Sequence, residues 1–399
     1  MTNYRVLSTR PEFLAAVDAL AAGEGPVAVD AERASGFTYS QRAYLIQVYR
    51  RGAGTFLFDP PAIGQMAALQ DVIGGEEWVL HAASQDLACL REVGLNPTRL
   101  FDTELAARLL GLPKVGLGAV VEDLLSIHLA KEHSAADWST RPLPQSWLIY
   151  AAKDVELLVD LRDRMEQMLV DARKTRIARE EFEATLAWQP KAAAADPWRR
   201  ISGIHSLRGQ RHLAVARELW LARDAFARER DIAPGRLIPD ASIIAVSRNI
   251  PISMKQLAGR RDFTGRASRG EVERWWAAIQ RGVTTRDLPS PTRPIPGTLP
   301  PPRAWGDRNP EADARLKAGR TVVAEIAELL SLPVENLLTP NILRRLAWNP
   351  PEPLDRDRVA VELERGGARA WQIDATAGAI TTTFVEAAQG RRETGPSTS

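Results

Sequence analysis

The chain has 399 residues, 45% hydrophobic and 26% charged, with a formal net charge of +2 and one cysteine, Cys89. Two or three domains are expected at this length, and a lone cysteine excludes an intramolecular disulfide framework and a cysteine-built zinc site. No run of about 18 apolar residues offers a membrane span, and the opening MTNYRVLSTRPEFLAAV lacks the basic-then-apolar grammar of a signal peptide, so a cytoplasmic monomer is the expectation.

In chain order, helical periodicity over 11–22 leads into the apolar run Pro26-Val27-Ala28-Val29-Asp30, a strand ending in a carboxylate. Residues 44–49 and 55–59 read as two more strands, joined by a turn at Gly52 and Gly54, and 78–82 as a fourth. Helical periods cover 62–74, 84–93, 103–111 and 117–129, and a long one runs from Pro144 to about Arg179. Early strands with short connections, then strands separated by helices, predict an α/β domain over 1–180 with a mixed sheet and helices packed on it.

Beyond about residue 196 the strand signal fades. Residues 196–285 read as a helical module, with helices over 206–230 and 240–281. Residues 286–310 hold eight prolines and predict a stiff linker. A second helical module is expected over 311–389, followed by a polar, disordered tail over 390–399. The segment 232–246 resembles 332–346, with Leu237-Ile238 matching Leu337-Leu338 and Ile243 matching Leu343. This pattern fits an internal duplication, and equally a shared helix–turn–helix grammar. Charge is divided too: residues 1–170 carry 15 Lys/Arg against 22 Asp/Glu (−7), and residues 171–300 carry 24 against 14 (+10). An acidic lobe can hold cations while a basic one holds phosphates.

Three elements carry candidate chemistry. Asp30 and Glu32 lie two apart on a strand and so share a face; singly, such a pair is also an exposed strand end. Asp86 follows the strand of VLHAASQDLACL in the first turn of a helix, where a helix dipole alone would favour an acid. Tyr150 and Asp154 are four apart on a helix and point the same way, a spacing that packing also produces. Together they meet a stricter demand. Two-metal phosphoryl hydrolysis needs several hard oxygen ligands converging on two cations.

In VAVDAERASGF, VLHAASQDLACL and SWLIYAAKDVELL, with the intervening YLIQVY, FDTELAARLLG and DWSTRPLP, the chain resembles the tyrosine branch of the DEDD exonuclease superfamily, within it the ribonuclease D family. That resemblance implies a ribonuclease H-like exonuclease fold and a metal-dependent 3′→5′ exoribonuclease. Asp30, Glu32, Asp86 and Asp154 would bind two Mg²⁺ or Mn²⁺ ions. Tyr150, with Glu32, would orient the water that attacks the terminal phosphodiester. The implied partner is RNA with a free 3′ end, tRNA precursors among them, and the product a 5′-nucleoside monophosphate. The stretch LRGQRHLAVARELWLARDAFARERDIAPGRLIPDASIIAVSRNIPISMKQLAG resembles the HRDC nucleic-acid-binding module, and the family's arrangement is an exonuclease followed by two such modules.

Phe37, just past the first motif, is a candidate to stack on the terminal base, or a core residue. Lys255, Arg260 and Arg261, with Arg266 and Arg269, form a basic cluster suited to a phosphate backbone, or a solvated face. Gln47 and His81 read as core residues within reach of the site, Asp102 as a helix cap, and Arg141 as a phosphate contact or the partner of an acid. A DNA exonuclease of the same fold and a silent nucleic-acid-binding scaffold are the competing readings. The complete acid set weighs against the scaffold. The lack of any GxxxxGK[ST] loop weighs against a helicase-linked enzyme.

Overall fold

A computed structural model describes residues 4–129, 133, 135–189, 195–291 and 299–393. The N-terminal domain is built on six strands: β1 (Val6–Leu7), β2 (Glu24–Arg33), β3 (Ala43–Arg51), β4 (Gly54–Phe58), β5 (Glu77–Leu80) and β6 (Arg99–Asp102). They lie in the order β1-β4-β3-β2-β5-β6. β2, β3 and β4 form an antiparallel meander, while β1 on β4, β5 on β2 and β6 on β5 are parallel. The sheet is therefore mixed, as expected, and its central strands are buried on both faces: Val27, Ala28 and Val29 are fully covered.

Helix α1 (Arg10–Ala21) starts at a Thr9/Glu12 capping box and buries Phe13, Ala16, Val17 and Leu20, the 3–4 spacing of one helical face. The helices α2 (Ala67–Ile73), α3 (Leu87–Glu92), α4 (Thr103–Leu109) and α5 (Leu117–Leu125) follow. Residues 144–179 do not form one long helix. They divide into α6 (Gln145–Glu156), α7 (Leu158–Asp171) and the start of α8 (Thr175–Ala187). The second break falls at Arg173, whose φ of 57° is left-handed and cannot continue a right-handed helix.

The first helical module comprises α9 (Gln210–Arg230), α10 (Asp240–Arg248), α11 (Met254–Ala258) and α12 (Val272–Thr284) around its own core of Trp198, Leu219, Ile243, Leu257 and Trp275. The span 240–281 holds three helices joined by short connections. The loop between α11 and α12 passes against the turn before α10 at Gly265 (φ 116°), where any Cβ would stand 2.1 Å from the Leu237 carbonyl oxygen. The second module contains α13 (Pro310–Leu329), α14 (Pro340–Trp348), α15 (Arg356–Arg365) and α16 (Ala370–Glu393). The two modules repeat one pattern a hundred residues apart: single turns at Pro234–Leu237 and Val334–Leu337 precede α10 and α14, which end on Asn249 and Asn349 with nearly identical backbone angles.

Two expectations change here. Within the proline-rich stretch, residues 302–308 are helical, and Trp305 is fully buried against Trp348, with its indole N–H donating to Pro300 O. At the other end α16 runs to Glu393, so 390–393 are helical; 394–399 lie outside the described residues. The second module shares one continuous apolar core with the exonuclease domain. Polar ties reinforce it: buried Glu181 accepts from Arg369 (2.8 Å) and from the Trp371 indole (2.9 Å), and Lys174 donates to Leu109 O and Ser331 O. Among the described residues, no helix is long and apolar enough to cross a membrane.

Candidate active site

β2 carries Asp30 and Glu32 on one face, as period-two alternation requires. On β3 their cross-strand partners are Gln47 and Leu45. Helix α6 lies over β2, β3 and β4 on that face and presents Tyr150 and, one turn later, Asp154. Oxygens of Asp30, Glu32 and Asp154 fall within 4.8 Å of one another. The Tyr150 phenol stands beside Asp154, one helical turn away on the same face, and the tyrosine ring leans on the buried Trp138.

Asp86 reaches the site by a different device. Ala82, after β5, is left-handed (φ 64°, ψ 50°) and reverses the chain into a 3₁₀ turn, Ala83–Gln85, that ends on Asp86. Asp102 holds this reversal. Its carboxylate accepts from Ala82 N (3.0 Å) and Ala83 N (2.9 Å), and also caps α4 through Glu104 N and Leu105 N. The expected helix cap is thus also the brace of the Asp86 turn. Asp86 borders the same cavity but lies outside the tight group of three, with Arg33 at 3.6 Å.

Burial and mutual repulsion dominate the electrostatics. Glu32 is pushed well above the usual carboxylate range by burial, then by Asp30, Asp154 and Asp86. Asp86 is raised by burial and Asp30, Asp30 by burial, and Asp154 by burial and Asp30 to about 8. Burial and the neighbouring carboxylates push the Tyr150 phenol up as well, keeping it protonated. Clustered hard oxygens that repel one another and face one nearby guanidinium are a donor set suited to divalent cations.

The cavity of about 630 Å³ is lined by the four acids, Tyr150, Gly36, Phe37, His81 and the start of α5 at Gly116–Gly118. His81 is held near neutrality by burial, its pKa lowered to about 4. The Thr103 hydroxyl donates to Leu80 O and lies 2.9 Å from His81 Nδ1, so that nitrogen carries the ring proton and Nε2 is left as an acceptor. Gln47 is fully buried, and among the described residues neither its amide oxygen nor its nitrogen has a partner.

Other residues fall elsewhere. Arg141 is committed to Asp59 (2.7 Å) and the carbonyls of Trp138, Thr140 and Tyr44, which leaves it a structural role. Arg260 is likewise spent on Asp262, Asn249 O and Ala245 O, which withdraws it as a free phosphate contact. Lys255 is exposed on α11, while Arg261, Arg266 and Arg269 line a separate hollow of about 310 Å³. Sequence reasoning missed Arg33, the left-handed Ala82 and Arg236, whose guanidinium lies over Phe37. Only Asp102 had a signal, its position at a helix start.

A mixed sheet whose central strand and covering helix converge carboxylates into one cavity, followed by helical modules, defines a 3′–5′ exonuclease. Residues 4–170 match the 3′-5′ exonuclease family, 298–384 the 3′ to 5′ exonuclease C-terminal domain, and 212–279 the HRDC domain. Ribonuclease D of Jannaschia sp. (strain CCS1) is 31% identical over 69% of this chain and 74% of its own length. That of Pseudomonas paraeruginosa is 28% identical over 80% and 83%. A crystal structure of a protein from Bifidobacterium adolescentis superposes with a TM-score of 0.87 at 37% identity, covering 96% of this chain and 99% of that one. Escherichia coli RNase D superposes with a TM-score of 0.68 at 25% identity over the same shares. The chain belongs to the ribonuclease D family.

Proposed function

We propose that the chain is an exoribonuclease that hydrolyses the last phosphodiester of RNA at a free 3′ end. It would release 5′-nucleoside monophosphates and trim tRNA precursors and other structured RNAs. The observation that carries this reading is the convergence of Asp30, Glu32 and Asp154 in one cavity, with the Tyr150 hydroxyl and Asp86 at its wall. Asp30, Glu32, Asp86 and Asp154 would hold two Mg²⁺ or Mn²⁺ ions, which when bound activate water and offset charge on the leaving oxygen.

The chain's own groups do the positioning. Glu32 and the protonated Tyr150 hold the attacking water by hydrogen bonds, and Tyr150 does so without adding charge. Water oxygen bonds to the terminal phosphorus, the bond from phosphorus to the penultimate O3′ breaks, and that oxygen leaves with a proton. Phe37 borders the pocket where the terminal base would stack.

The test compares a 3′-extended tRNA with a matched DNA oligonucleotide, in Mg²⁺ or EDTA, for the wild type and Asp30→Asn. Wild type should release mononucleotides from RNA in Mg²⁺ alone, and Asp30→Asn should lower the rate by a factor on the order of 100 or more. Equal or faster digestion of DNA would remove the RNA assignment, and no release from either substrate would remove the enzyme.

A further inference from the structure

The cavity wall that follows the first motif is held by the first helical module. Ala233 N donates to Phe37 O (2.9 Å), and Asp231 accepts from Ser40 N (2.7 Å), Ser40 Oγ, Arg42 and the Tyr44 hydroxyl. Tyr39 donates to Asp224 (3.0 Å). Arg236 meets this wall at Gly36 and Phe37. Its Nε donates to Gly36 O (2.7 Å), and its guanidinium carbon lies 3.9 Å from the centre of the Phe37 ring. Gly36 and Phe37 line the same cavity as Asp30, Glu32 and Asp154.

Two facts give Arg236 a purpose beyond docking. Other arginines of this module are paired, Arg228 with Asp224 and Arg223 with Asp240, yet among the described residues no carboxylate pairs with Arg236. Its terminal nitrogens also make no hydrogen bond among those residues, while the stacked ring and the Nε bond fix the plane of the fork. A planar, immobilised guanidinium with two free donor groups is the group that matches a phosphate bidentately. An RNA strand whose last phosphodiester lies at the carboxylates must carry its next phosphates out past the cavity rim. The acidic wall would repel them there unless a cation met them.

We propose that Arg236, delivered by the first helical module, binds an RNA phosphate upstream of the scissile bond and, with Phe37, forms one substrate subsite built from two domains. The inference rests on the exoribonuclease reading. It makes the helical module part of the active-site mouth as well as a remote binding surface.

The experiment uses the full-length protein with Mg²⁺ and two substrates: a short single-stranded RNA, and the p-nitrophenyl ester of thymidine 5′-monophosphate, which has one phosphodiester and nothing upstream. For Arg236→Ala, the ratio of kcat/KM on RNA to kcat/KM on the ester should fall about 10- to 100-fold, chiefly through KM. The slope of log KM against log salt concentration should flatten by about 0.7, the share of one phosphate contact on a single strand. Arg236→Lys, which keeps the charge and loses the fork, should restore the slope and only part of the ratio. A structural role alone would leave the slope unmoved. An unchanged ratio and slope in Arg236→Ala would overturn the inference while leaving the exonuclease reading intact. A wild type that hydrolyses neither substrate would overturn both.

Discussion

Replacing Glu32 by Gln should make the metal-free protein more stable while abolishing its activity. Glu32 has oxygens within 4.8 Å of those of Asp30 and Asp154. At an effective dielectric constant of about 20, two unit charges at that separation repel by roughly 3.5 kcal/mol. Two such pairs would cost roughly twice that if all three acids were ionised. Shared protons reduce the cost, because Glu32, Asp30 and Asp154 are all raised and Asp154 titrates at about 8. A net gain of about 1–3 kcal/mol is therefore expected for Glu32→Gln at pH 8 in EDTA. The sign follows from linkage. Acids raised in the folded state release protons more readily on unfolding, so metal-free wild type should lose stability as pH climbs from about 4 towards 8. Glu32→Gln should lose less over that range. Urea denaturation in EDTA across that interval measures both, and Mn²⁺ should reverse the ranking by stabilising wild type far more than the variant. If Glu32→Gln were less stable than wild type in EDTA at pH 8, the carboxylates would not be a strained, cation-seeking cluster and the reasoning would fail.

Asp102→Ala removes the acceptor for four backbone N–H groups, two at the cap of α4 and two in the turn that carries Asp86. A stability loss of roughly 3–5 kcal/mol is expected by denaturation, with a fall in kcat; a loss below about 1 kcal/mol would show that the Asp86 turn holds itself. Gln47→Leu should keep or raise stability, by about 1 kcal/mol, since the buried amide has no partner among the described residues, but lower kcat/KM because the amide lies across from Asp30. Full activity in Gln47→Leu would assign the amide no part in the site.

Motifs close in sequence were the legible ones. Asp30 with Glu32, and Tyr150 with Asp154, are paired by the periods of a strand and a helix, so their faces follow from spacing alone. Asp86 was legible as a helix-start acid, but the left-handed Ala82 that aims it was not, because alanine gives no sign of positive φ. β1 and β6 were too short to show a period. The break at Arg173 hides within a helical pattern that tertiary contacts of Lys174 override. Arg236 sits 200 residues from Gly36 in sequence, and only the docking of two domains brings them together.

The shared core between the exonuclease domain and the second module changes how the chain should be divided. The chain leaves that core at Leu186 and rejoins it at Leu299, so the first module is an insertion between two parts of one body. A truncation after the exonuclease domain would strip an apolar interface and leave the buried Glu181 without Arg369 and Trp371. Excising the insertion and rejoining its ends is the cut that respects the architecture, and it would leave the carboxylates in place while removing Arg236 from Gly36 and Phe37.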